Sequence, residues 1–106
     1  MEDHELLRTA AARLEVLAGR TTPGDWRTGG LLATRPEVIA HRETPDGNGS
    51  TEHVAEARAG TAAWITALSP AVGPPLAEWL RAAADAEIEP AAVAVARLLL
   101  ERLPSD

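Results

Sequence analysis

The chain is 106 residues long, which fits a single domain with one core and leaves no room for a second. Hydrophobic residues make up 45% and charged residues 25%, the balance of a folded protein, and the lack of cysteine excludes a disulfide framework, a thiolate nucleophile and a cysteine-based zinc site. Ten basic residues, all arginine, stand against sixteen acids for a net charge of −6, and their scatter along the chain argues against nucleic-acid binding.

The first residues, Met1-Glu2-Asp3-His4-Glu5, are acidic, whereas a secretory signal needs a basic start and an apolar run. No apolar stretch nears the roughly 20 residues that span a bilayer, so a cytoplasmic protein without membrane contact is expected. The first helix is expected from about Asp3 to Ala18, because Leu7, Ala10, Ala11, Leu14, Leu17 and Ala18 recur at three- and four-residue steps. Asp3 is the expected N-cap, and Gly19 is expected just past the end in a left-handed conformation.

Thr22-Pro23-Gly24-Asp25 predicts a turn, since proline presets its second position and glycine accepts a positive φ at its third. Short β-favouring pieces follow at Trp26 to Thr28, Leu31 to Thr34 and Glu37 to His41, which read as a small antiparallel meander. Such a sheet has to lay an apolar face carrying Leu31, Ala33, Val38 or Ile39 against helices. Residues 43–50 are turn formers without apolar content and are expected to form a mobile loop.

From Thr51 the residues Val54, Ala57, Thr61, Trp64, Ile65 and Leu68 keep helical spacing, with a strand over 51–56 as the alternative. A third helix is expected from near Pro74 or Pro75 to about Ala86, with Leu76, Trp79, Leu80 and Ala83 on one face. A fourth runs from about Pro90 to Leu103 and is apolar around most of its circumference. Intrahelical ion pairs are expected between Arg97 and Glu101 and between Glu78 and Arg81. Trp26, Trp64 and Trp79 are the only aromatic residues, and each is expected to anchor the core.

No set of residues spells a reaction. The loop Asp46-Gly47-Asn48-Gly49-Ser50 imitates the first positions of a calcium-binding loop, but Thr51 stands where glycine is needed and Ala57 where a bidentate glutamate is needed. His41 and His53, with Asp46, Glu52 and Glu56, have no fixed spacing that would hold zinc or arrange acid–base chemistry. Ser69 lacks a nucleophile elbow, and Gly29-Gly30 opens no helix that would cradle a phosphate.

The turn Thr22-Pro23-Gly24-Asp25-Trp26 and the later stretch Thr61-Ala62-Ala63-Trp64-Ile65-Thr66-Ala67-Leu68-Ser69-Pro70 resemble a loose group of small proteins from phage, prophage and actinobacterial genomes. The segments Ala71-Val72-Gly73, Leu76 to Leu80 and Ala94 to Arg97 also look alike, while Pro74-Pro75 and the long 43–50 loop depart from the pattern. The resemblance implies an accessory protein and carries no catalytic residue.

The expectation is therefore an α+β, mostly helical domain of four helices packed on a two- or three-stranded antiparallel sheet. It is expected to be a non-enzymatic accessory or regulatory interaction module with no cofactor and no metal. It is further expected to pair as a homodimer through Val95, Leu99, Leu100 and Leu103 of the last helix, because an all-round apolar helix has to be buried. The alternative is a small-molecule binder or small enzyme with a pocket near Trp26 and residues 41–53.

Overall fold

A computed structural model describes residues 1–29 and 36–105. It has an α+β fold of four helices and a three-stranded antiparallel sheet: α1 (Asp3–Gly19), β1 (Asp25–Gly29), β2 (Glu37–Arg42), β3 (Ser50–Glu56), α2 (Ala59–Ala67), α3 (Gly73–Asp85) and α4 (Pro90–Arg102). A 3₁₀ turn over Pro70–Val72 precedes α3. The chain divides into two compact units, one of residues 1–21 and 70–106 and one of residues 22–69.

In the helical unit α1 packs against both α3 and α4. Its buried residues, Leu6, Leu7, Ala10 and Ala11, form one face at helical spacing. They meet Ala77, Leu80 and Ala84 of α3 and Ala92, Val93 and Ala96 of α4 in one cluster. Leu7 and Leu80 are its two fully buried large side chains, each contributing about 1.5–3 kcal/mol by removal from water. Six of the ten buried residues of this cluster are alanines, so the helices approach closely and little volume is left for large rings.

Capping follows the chemistry of the ends with small shifts. The Glu2 carboxylate accepts from the His4 amide at 2.6 Å, so Glu2 rather than Asp3 caps α1, while Asp3 and Glu5 sit in the first turn where the dipole favours negative charge. Gly19 belongs to the helix, and the cap is Arg20 in right-handed geometry (φ −99°), so the expected left-handed glycine is not used. Pro74 and Pro75 are tolerated because they fall in the first turn of α3, whose N–H groups have no partner within the helix. A β-carbon on Gly73 would lie 2.7 Å from the Ala18 β-carbon. Gly73→Ala therefore has to push the start of α3 off α1 and is expected to cost about 1–3 kcal/mol, read as a lower urea midpoint; an unchanged midpoint would contradict the close approach.

Three ion pairs of this unit join one helix to another. Arg81 donates to Glu15, Arg8 reaches Asp85 at 2.8 Å, and Arg97 stands 3.9 Å from Asp3, in place of the expected pairs with Glu78 and Glu101. The Arg81 hydrogen bond and charge hold the Glu15 carboxyl below the ordinary glutamate range, and Glu15 in turn raises Arg81. Since the folded-state value of Glu15 is depressed, the pair's stabilisation is complete above the unfolded glutamate range. It is lost as the pH falls through the folded value. Glu15→Gln is expected to flatten that acidic part of a stability–pH curve; an acid limb identical to the wild type would contradict the pairing.

In the second unit the three strands lie in the order β1-β2-β3, with Trp26 opposite Ala40, Thr28 opposite Val38, and Ile39 opposite His53. The pairing of β2 with β3 is irregular between Val38 and Ile39. Val38 and Ala40 alternate as the buried residues of β2, and α2 packs on β1 and β2. Residues 50–56 are thus a strand, and the helix expected from Thr51 begins only at Ala59. The expected strand at Leu31 to Thr34, with Leu31 and Ala33, lies outside the described residues. Gly24 takes the positive φ (120°) that the turn requires, and a β-carbon there would stand 2.7 Å from the His41 carbonyl oxygen.

Candidate interaction surface

The tryptophans do not occupy the core. Trp64 is 68% exposed and Trp79 45% exposed, while Trp26 is half-buried and donates its indole N–H to the Thr22 carbonyl at 2.9 Å. The expectation of aromatic core anchors fails for Trp64 and Trp79; in the helical unit, which holds Trp79, the buried volume is filled mostly by alanines.

Trp64 belongs to an exposed apolar surface. α2 carries two apolar stripes. Ala62 is buried and Ile65 and Thr66 are half-buried, whereas Gly60, Ala63, Trp64 and Ala67, followed by the cap residue Leu68, are all exposed. These last five stand at i, i+3, i+4, i+7 and i+8, the spacing of a single helix face. Leu68 is 54% exposed, one turn beyond Trp64. No charged residue occurs from Ala59 to Ala77, a long neutral run in a chain where one residue in four is charged. A helix apolar all round is normally covered all round, and half of α2 is not.

The residues expected to form an interface on the last helix are placed differently. Val95, Leu99 and Leu100 of α4 pack partly against the core of their own unit, and Leu103 at the end of the helix is half-buried. Leu98, on the far side of α4, is the exposed large apolar residue there at 54%. The circumference of α4 that looked uniformly apolar divides into a buried line, Ala92, Val93 and Ala96, and an outer line of alanines, arginines and Leu98.

The polar candidates share the sheet but do not gather. His41 pairs across strands with Asp25 and Thr51, and the neighbouring row carries Arg27, Ile39 and His53 on the same open face. His53 lies 3.3 Å from Glu37, and Arg27 donates to Asp25 at 2.8 Å. Glu52 lies opposite Ala40 and so on the other face, and Glu56 lies opposite Glu37 at the far end of the strand pair. Asp46 is held within the 43–50 loop by the Thr44 hydroxyl and by the Asn48 amide at 3.0 Å, which lower its pKa. Among the described residues no group of three or more His, Asp or Glu could hold a metal.

Open depressions are lined by described residues in each unit. One of about 330 Å³ is lined by His41, Arg42, Asn48, Gly49, Ser50 and Thr51. Trp26 stands on the opposite face of the sheet, beside Ala40, and does not line it. The other, about 450 Å³, lies between Asp3, Ile88, Pro90, Val93, Ala94 and Arg97 of the helical unit. Neither encloses an unpartnered buried polar group. The one such atom among the described residues, the Thr66 hydroxyl, is in α2.

No helix among the described residues is long and apolar enough to cross a membrane. No family model matches the chain, and no curated protein or solved structure matches it either.

Proposed function

We propose that the protein is a non-enzymatic interaction module that docks an apolar partner surface on the outer stripe of α2. One observation carries this reading: Trp64 and Leu68 stand one turn apart, 68% and 54% exposed, on a helix without a single charge. Tryptophan is the residue most enriched at binding hot spots, because it removes a large area from water at small entropic cost. The small neighbours Gly60, Ala63 and Ala67 leave shallow hollows beside it, into which a partner's side chains fit. An accessory role, of the kind implied by the resemblance to small phage and actinobacterial proteins, is compatible with a chain whose described histidines and acids form no group of three or more that could hold a metal.

Self-association through α4 has less to recommend it. Val95, Leu99 and Leu100 are already engaged within their unit, and Leu98 alone offers a large apolar side chain outward. The test is site-specific photo-crosslinking in the native cell, with a photoreactive amino acid at Ala67 or, as the control, at the exposed Ala82 of α3. Discrete adducts at position 67 that are missing at 82 are expected. An absence of adducts at 67, or the same adducts at both positions, would overturn the proposal.

A further inference from the structure

We infer that Asn48 is a site of spontaneous covalent modification: the Gly49 backbone nitrogen attacks its side-chain amide and converts it to a carboxylate, at a pace set by the Thr44 hydroxyl. Asn48 is the sole side-chain amide of the chain, which has no glutamine and no other asparagine. It stands in the loop joining β2 to β3, where Gly47, Asn48 and Gly49 are all exposed. Water reaches the whole segment.

The attacking nitrogen is unshielded for a structural reason. Gly49 has φ +71°, and a β-carbon there would lie 3.2 Å from the Arg42 carbonyl oxygen, so the turn into β3 favours the one residue without a side chain. Nothing then blocks the path from that nitrogen to the Asn48 Cγ. The two groups belong to adjacent residues, so attack closes a small ring within the chain, a step favoured by proximity. Gly47, with φ +80° and open space around it, gives the loop room to turn Asn48 toward the nitrogen.

One contact opposes the step. The Gly49 N–H donates to the Thr44 hydroxyl oxygen at 3.0 Å, and that hydroxyl donates in turn to Asp46. The bond has to open before the nitrogen can lose its proton to base. The bond from the Gly49 nitrogen to Cγ then forms as the Asn48 C–NH₂ bond breaks, and the amide nitrogen takes up a proton and leaves as ammonia. Water opens the cyclic imide at either carbonyl, giving aspartate or, with the main chain rerouted through Cγ, isoaspartate. The new carboxylate stands where the Asn48 amide now donates to Asp46 at 3.4 Å, so an attraction becomes a like-charge repulsion.

Intact-mass measurement of the full chain, aged at body temperature in mildly alkaline buffer, tests this, with peptide fragmentation to separate the two products at position 48. The mass is expected to rise by the difference between an amino and a hydroxyl group, with isoaspartate among the products and a faster rise at higher pH. Thr44→Ala, with its circular dichroism spectrum unchanged, is expected to speed the loss about two- to tenfold, the factor that one hydrogen bond is worth. A folded chain whose mass stays constant over many half-lives of the same chain unfolded in guanidinium overturns the inference. Aspartate without isoaspartate overturns the route through Gly49, because direct hydrolysis leaves the main chain in place. A Thr44→Ala rate equal to or below the wild type overturns the restraint assigned to Thr44.

Discussion

Leu80→Ala is expected to lower the stability of the helical unit by about 2–5 kcal/mol, and Leu7→Ala by a similar amount. Both side chains are fully buried, at 0% exposure, and they face neighbours that are mostly alanine. An alanine has no rotamer with which to move into a new cavity, so the hole left by three missing carbon atoms closes poorly and the cost falls in the upper half of that range. Chemical denaturation followed by circular dichroism reads it as a shifted midpoint with an unchanged slope. A loss below about 1 kcal/mol would mean that α1, α3 and α4 do not meet through these leucines.

The second large effect is a separation of stability from association at Trp64. With about two thirds of its surface already in water, Trp64→Ala is expected to change folding stability by about 1 kcal/mol or less while removing most of the binding at α2. Size alone would rank a tryptophan above a leucine as a core residue, and the exposures invert that rank. Denaturation and binding measured on the same variant decide it: a loss of several kcal/mol with binding intact would make Trp64 a structural residue.

Much of the fold is legible from local chemistry. α1, α3 and α4 follow from apolar spacing bounded by Gly19, Pro74-Pro75 and Pro90, because helix periodicity and proline tolerance act over a few residues. The turn at Gly24 follows from the one residue type that accepts its φ. Residues 51–56 are harder, since an edge strand with most of its residues exposed has no need of alternating apolar residues, and Val54 lies in helical phase with the helix that follows. Its pairing with β2 is a long-range fact that the local pattern does not contain.

The candidate surface is legible only in part. That α2 is apolar can be seen in the sequence, but which of its two stripes is covered depends on its packing against β1 and β2. On α4 an apolar circumference suggests an unpaired face, and Val95, Leu99 and Leu100 find part of their cover within their own unit. Hydrophobicity records that a side chain avoids water and says nothing of where its cover comes from. Trp79 misleads for a related reason: the alanine-lined helices of its unit pack too closely to admit an indole, so the ring ends up at the periphery.

The most direct test of the account is acrylamide quenching of a variant in which Trp64 is the sole fluorophore, made by Trp26→Phe and Trp79→Phe and measured at low micromolar concentration. An exposed indole predicts red-shifted emission quenched nearly as readily as a free tryptophan analogue. Blue-shifted emission that resists the quencher in the dilute folded protein would place Trp64 in a core and contradict the α2 surface on which the functional reading stands.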